Sequence, residues 1–329
     1  KTFDVKNTNS YWQFYLGINI FYIMVSLYER WQRINHITEN FKISETVVLN
    51  YPENYLIKKK QIELIESLSN SDLYNHILYS KIIAHINKIK IRTENFVYTT
   101  NTTLPKNKKK FFMSLVKKIK IRTLFNLLKK YYLMFYNFAY SKFYITKCEV
   151  FISNMIGSNL KNKIYDKLEQ KRIHYKFTEP KKDFLINYQL RKELKKNFYF
   201  QEKNEFELFL KNIIWDMIPS SILEGYKTII KKNKKINKTV RPKVILLKQD
   251  ELLTENRSYL EWLAYNKDKG AQFLSLQNGG GSIVTPAFAT VDSIFKKNFD
   301  IRLHYGKENF DKNFIGVGFE RGFKDANIF

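Results

Sequence analysis

The sequence predicts an α/β protein built around parallel strands. The stretch from Val244 to Gly306 carries most of that expectation: it reads VILLKQ, a helical run from Glu255 to Lys267, QFLSLQ and, after a further helical run, RLHYG. Two apolar runs of about six residues flanking a helix-length segment form the pattern of a βαβ unit with buried strands. The second observation is where QFLSLQ ends. Gln277 leads into Asn278-Gly279-Gly280-Gly281-Ser282, and glycine weakens strands and helices alike. Three in a row fit a backbone that approaches a ligand closely at the carboxyl end of a parallel strand, where α/β folds bind ligands. A merely tight turn is the other reading. A nest of backbone N–H groups there would receive an anionic or sugar group. The pattern is neither GxGxxG nor a Walker loop, so neither a Rossmann dehydrogenase nor a P-loop ATPase is expected.

Composition supplies the third observation. The 329 residues suffice for two domains and a sizeable core, and 44% hydrophobic with 16% aromatic residues excludes a disordered chain. A formal charge of +26 points first to nucleic acid or an anionic membrane. Only ten of the 57 basic residues are arginine, however, and arginine is the better reader of phosphates and bases. Asn, Ile, Phe and Tyr are abundant too, as codon drift toward A/T would produce, so nucleic acid is not the expected partner. The single Cys148 excludes an intramolecular disulfide and fits a reducing compartment. The chain starts at Lys1 and stops just after the strand-like NFIGVGF, so pieces are expected to be missing at both ends.

Taken in order, Tyr11 to Tyr28 carries no charge over eighteen positions, the lower limit for a membrane span. Gln13, Gly17 and Asn19 within it, and Glu29, Arg30 and Arg33 beside it, favour a buried core helix instead. Pro52 to Leu68 reads as a loop and a Lys/Glu-rich helix. Ser69 or Ser71 is the expected N-cap of the next helix, with Leu73, Ile77, Ile82 and Ile83 toward the core. Asp72, Asn75, His76 and Tyr79 fall at spacings of three and four and share one side, which is either a solvated face or a site wall. Between Pro105 and Lys130, lysine pairs alternate with apolar pairs at helical spacing; such a helix rests on an anionic membrane or simply covers the core. CEVFISNM reads as a buried strand in which Cys148 is an inert thiol. Asn159 to Lys203 is charged and mostly helical, and Glu205 to Ile218 is an amphipathic helix. Pro219-Ser220-Ser221 starts another helix with Glu224 in its opening turns. KKNKKINK, Lys231 to Lys238, is the expected linker, which sets an N-terminal α/β domain over 1–235, with a helical insertion over about 105–145, against a Rossmann-like domain over 236–329.

Recognisable catalytic chemistry is sparse. The five histidines lie outside CxxC or HExxH contexts, so no metal site is expected. No Asp-x-Asp pair and no GxSxG elbow occur. A glycine nest, a few carboxylates (Asp72, Glu224) and basic side chains suit metal-independent group transfer, in which amides and cations stabilise a leaving phosphate while one carboxylate acts as base or nucleophile.

Four stretches, in order, resemble a family of bacterial surface-polysaccharide (O-antigen) transferases. SYWQFYLGINIFYIMVSLYERW resembles its YWR-x-x-x-G-P-W-x-x-x-F-x-x-x-x-Y-D-R-Y block, SDLYNHILYSKII its D-x-W-N-H-x-x-Y-S-K-I-I block, IPSSILEGYKTI its L-P-x-S-Y-L-E-G-Y segment and FLSLQNGGGSI its I-G-Q-H-G-G-x-Y-G loop, with Tyr305-Gly306 following. Asn278 stands at the family's loop histidine, Gln13 at its Arg, and Gly17-Ile18-Asn19 at its Gly-Pro-Trp. The resemblance implies a GT-B-like architecture of two Rossmann-like domains, no cofactor and no obligatory metal, and a nucleotide-activated sugar as donor. A looser similarity to Kdo and nonulosonic-acid transferases points to a CMP-linked acidic sugar. By the same resemblance, Gln277, Asn278, Gly279, Gly280, Gly281, Ser282, Asn75 and Tyr305 would bind the donor. Asp72, Glu224 and His76 would be catalytic, with local structural roles as the alternative for each: a first-turn charge for the two carboxylates and a core imidazole for His76. The partners implied are a nucleotide sugar, a glycan or lipid-linked glycan acceptor, and an anionic membrane surface through 106–130, in the cytoplasm at the inner face of the membrane. The alternatives are a basic nucleic-acid-binding protein, an integral membrane protein using Tyr11 to Tyr28, and a degenerate family member that binds sugar without turning it over.

Overall fold

The computed structural model describes residues 7–95, 149–170, 177–180, 183–198, 201–277, 297–305 and 314–317. The glycine stretch 278–282, the Lys-rich stretch 106–130 and Cys148 lie outside them. The expected mixed α/β chain with parallel sheets is what is found. It begins with α1, Asn9–Asn40, in which Tyr11, Phe14, Tyr15, Ile18, Ile23, Leu27, Trp31 and Ile34 are buried. Apart from the adjacent pair Phe14 and Tyr15, their steps of three to five residues lay an apolar stripe along one face. The other face carries the exposed Met24, Val25 and Tyr28. This is the buried-helix outcome for Tyr11 to Tyr28, and among the described residues no helix is long and apolar enough to cross a membrane.

A first small sheet follows. β1, Glu45–Asn50, and β2, Lys90–Asn95, pair in parallel from Glu45 opposite Lys90 to Asn50 opposite Asn95. Parallel pairing requires a crossover, supplied by α2, Gln61–Asn70, and α3, Asp72–Ile86. Of the two expected caps for α3, Ser71 takes the role: its hydroxyl accepts from the Tyr74 N–H at 3.2 Å. Asn87, in the left-handed region at φ 53°, closes the helix.

The second sheet is five-stranded, parallel and in chain order. Its strands are β3, Val150–Ile152, β4, Val244–Lys248, β5, Gln272–Leu276, β6, Ile301–Tyr305, and β7, Phe314–Val317. β3 comes from residues N-terminal to position 236 yet pairs with β4, Val150 opposite Val244. Alternation decides what each face meets. Phe151, Ile245, Leu247 and Phe273 join the main core, whereas Ile152, Leu246, Leu274 and Leu303 pack with Tyr165 of α4, Ser158–Lys167, on the other side. The remaining helices are α5, Tyr188–Asn197, α6, Glu205–Met217, the one-turn α7, Ser220–Leu223, α8, Tyr226–Thr239, and α9, Arg257–Asp268. α1 packs on α9, α3 and α6, and the Phe14 ring meets Phe273 of β5 edge-on at 4.9 Å. One helix thus touches elements associated with both sheets.

The expected linker is corrected. KKNKKINK is helical, the second half of α8, because Asn233, Ile236 and Asn237 recur on one side and are buried while the lysines point outward. A charge run of this kind is the solvated face of an amphipathic helix. α7 and α8 are separated at Gly225, whose place tolerates no side chain: a Cβ there would lie 2.3 Å from the Ser221 carbonyl oxygen and 2.8 Å from Phe184. Gly225→Ala is therefore expected to cost about 1–3 kcal/mol, read as a lower denaturant midpoint with an unchanged slope.

Candidate functional site

A roomy cleft opens at the carboxyl ends of β1 and β2, the edge of a parallel sheet where ligands bind. Its volume is about 630 Å3, and Leu49, Asn50 and Thr93 form its floor. One wall is α5: Tyr188, Arg191, Lys192 and Lys195 line the cleft, and their spacing of three, four and seven residues puts them on one helical face. Lys81 of α3 and Asp216 of α6 complete the polar lining. The Lys81 ammonium sits 5.5 Å from the centre of the Tyr51 ring, another wall residue. None of Lys81, Lys192 and Lys195 forms an ion pair with a described carboxylate.

Two of the three expected catalytic residues stand directly behind this cleft. The His76 Nε2 accepts the Leu49 backbone N–H at 3.2 Å, which leaves Nδ1 as the protonated nitrogen of the neutral ring. The imidazole thereby holds the carboxyl end of β1. The side chain of Glu224 is shielded from water and grips Arg191: Nε donates to Oε1 at 2.7 Å and Nη2 to Oε2 at 2.7 Å. The Asn187 N–H donates to Oε1 as well, at 3.1 Å. Arg191 Nη1 in turn donates to the Trp215 and Ile218 carbonyls. Glu224 therefore anchors α5, and with it the lysine wall, to the end of α6. Asp72 is exposed in the first turn of α3, where its charge favours the helix dipole. Asn75 faces inward: its Oδ1 accepts from Arg30 Nε at 3.1 Å and Nη2 at 2.5 Å, and Arg30 also donates to the Ser26 and Leu68 carbonyls. Asn75 and His76 thus face packed neighbours rather than solvent.

Three of the four stretches singled out in the sequence meet in space. Arg30 of the first meets Asn75 of the second. Tyr226 of the third packs on Trp12 and Tyr15 of the first, with ring centres 5.1 and 5.4 Å apart. Burial within this cluster pushes the Tyr226 hydroxyl up to about 12. A small apolar slot of about 200 Å3 lies between these two stretches. The fourth stretch belongs to the other sheet. Gln277 is buried at the end of β5, and its N–H donates to the Leu303 carbonyl at 2.8 Å, so the start of the glycine loop is fixed against β6. Asn278, Gly279, Gly280, Gly281 and Ser282 lie outside the described residues. Tyr305 closes β6 in register with Val317.

Sequence reasoning missed several residues. Lys81 lies inside the SDLYNHILYSKII stretch but two residues past Tyr79 and so off the polar row, and Lys192, Lys195 and Tyr188 read as ordinary surface in a lysine-rich chain. Asp216, just before Pro219, carried no distinguishing signal. Glu251 was missed too. It is buried after β4, accepting from the Ser153 hydroxyl at 2.5 Å, the Tyr259 hydroxyl at 2.8 Å and the Lys248 N–H at 2.9 Å, and so ties the carboxyl ends of β3 and β4 together. Among the described residues no group of three or more His, Cys, Asp or Glu side chains is arranged to hold a metal ion.

Residues and fold together thus define an α/β chain whose parallel strands open onto a lysine-lined cleft. The chain belongs to the LIC12162 family transferases: that family's model matches residues 1–292. No curated protein and no solved structure matches it.

Proposed function

We propose that this transferase is a metal-independent glycosyltransferase of GT-B-like build. It moves a sugar from a nucleotide-activated donor, a CMP-linked acidic sugar by preference, to a surface-glycan acceptor. The observation that carries the reading is the convergence on one cleft, at the carboxyl ends of parallel strands, of residues that hold its lining in place: His76 behind Leu49 and Glu224 behind the Arg191 cation. Family membership supports the transfer chemistry. In this reading the donor phosphate lies against the glycine loop that follows Gln277. An acceptor hydroxyl attacks the anomeric carbon, the bond from that carbon to the phosphate oxygen breaks, and the nucleotide leaves with the electron pair. The hydroxyl proton passes to a carboxylate. We assign that role to Asp216, the carboxylate that lines the cleft itself. The work would be done at the inner face of the cell membrane, with 106–130 against anionic lipid.

A thermal-shift titration with CMP, UDP and GDP tests the donor half. One nucleotide is expected to raise the melting temperature by mass action, and Gly280→Trp is expected to abolish the rise. Stabilisation by short DNA at low salt, with no response to any nucleotide, would instead favour the nucleic-acid reading.

A further inference from the structure

We infer that the cleft at the carboxyl ends of β1 and β2 is the acceptor site, and that the acceptor carries a phosphate or diphosphate group next to its sugar. The inference rests on the transferase reading above and adds the chemistry of the second substrate. Position separates the two substrates: the cleft belongs to the β1–β2 sheet, whereas the glycine loop follows β5 of the five-stranded sheet. Size sets the scale of the ligand, since about 630 Å3 holds a sugar or two with a phosphate attached. Charge sets its chemistry. Arg191 is neutralised by Glu224 and serves as scaffold, but Lys81, Lys192 and Lys195 reach the cavity from two helices without a described carboxylate partner. Three like charges repel one another in a concave site and are relieved by an anion. Lysines are point charges that meet a phosphate oxygen from any direction, unlike the fixed fork of arginine that selects planar carboxylates. The rest of the lining suits a sugar: Asn50, Thr93 and Asp216 offer hydrogen-bonding groups, and the Tyr51 and Tyr188 rings offer flat surface for its apolar face.

The test is calorimetric titration of the whole chain with inorganic pyrophosphate and with glucose 1-phosphate, in parallel with the preferred nucleotide. The wild type is compared with Lys192→Glu/Lys195→Glu, with Lys81→Gln, and with Gly280→Trp. The lysines sit toward solvent on their helices, so retained melting temperatures are expected to report intact folds. The lysine variants should weaken pyrophosphate and glucose 1-phosphate binding on the order of tenfold or more, in a manner that fades with salt, and leave nucleotide affinity unchanged. Gly280→Trp should do the reverse. Vesicles containing polyprenyl phosphate distinguish the source: binding that depends on the same lysines shows a lipid-borne phosphate, and binding of the soluble probes alone shows a soluble glycosyl phosphate. Pyrophosphate that does not bind the wild type, or binds the lysine variants equally well, overturns the inference. Lysine variants that lose the nucleotide instead make the cleft the donor site, which overturns the acceptor assignment while leaving glycosyl transfer intact. A wild type that binds pyrophosphate in the cleft but no nucleotide separates failure of the transferase reading from failure of the cleft.

Discussion

Glu224→Ala is expected to remove about 3–5 kcal/mol of folding stability, the cost of stranding one member of a buried ion pair. The side chains of Arg191 and Glu224 are only 3% and 5% exposed, so water does not compensate for the missing carboxylate. The loss is a large share of the 5–15 kcal/mol typical of a folded protein. It would also release the Arg191 bonds to the Trp215 and Ile218 carbonyls, where α6 turns toward Pro219. A urea melt measures it directly. Glu224→Gln keeps one acceptor oxygen beside Arg191 and should lose less. If Glu224 were the reacting carboxylate rather than an anchor, Glu224→Ala would abolish turnover with the urea midpoint unmoved.

Stability is expected to fall as pH rises from about 4.5 to 7 because of Glu261 alone. This carboxyl lies on the buried face of α9, and burial pushes its pKa up from the ordinary 4.5 to about 7 against the pull of its hydrogen bonds to Asn233, Asn237 and Tyr11. Between those two values the folded chain holds a proton that the unfolded chain has released. Its contribution is therefore complete below about pH 4.5 and is lost as pH passes through the folded value. At about 1.4 kcal/mol per pH unit, the loss amounts to about 3 kcal/mol. The protonated form also suits its surroundings, since Asn237 Oδ1 is buried without a partner and, once the amide that now presents Nδ2 turns over, accepts from a neutral acid. Glu261→Gln mimics that acid and should flatten this part of the profile. Chemical denaturation at half-unit pH steps, wild type minus variant, reads the difference; a difference that does not change between pH 4.5 and 7 would contradict the account.

How far the sequence foretold these features depends on the range of the physics involved. The strands VILLK and QFLSL were legible because burial on both faces writes an unbroken apolar run, and α1 because its polar interruptions sit off the apolar stripe. Ser71 as cap and the inward side of α3 are local effects and were visible too. KKNKKINK misled, because charge density along a chain does not reveal that Asn233, Ile236 and Asn237 share a buried side. The cleft was hidden for a different reason. Its lysines come from α3 and α5, about 110 residues apart and joined only by tertiary packing. Position in the fold distinguishes them from the other surface lysines; residue type and spacing do not. Helical spacing singled out Asn75 and His76, the scarcity of carboxylates in plausible places singled out Glu224, and the resemblance supplied the expected roles; the geometry gives each a partner that no spacing could name: Arg30, the Leu49 backbone and Arg191.

The central claim is sugar transfer from a nucleotide donor, and release of free nucleotide measures it most directly. CMP-, UDP- and GDP-linked sugars would be incubated with the protein in EDTA, with and without a phosphorylated glycan acceptor. The account predicts that one nucleotide class is released, that release rises with the acceptor, and that Gly280→Trp and Asp216→Asn both suppress it. No release from any donor under any condition would contradict glycosyl transfer, and release only after a divalent ion is restored would contradict its metal independence.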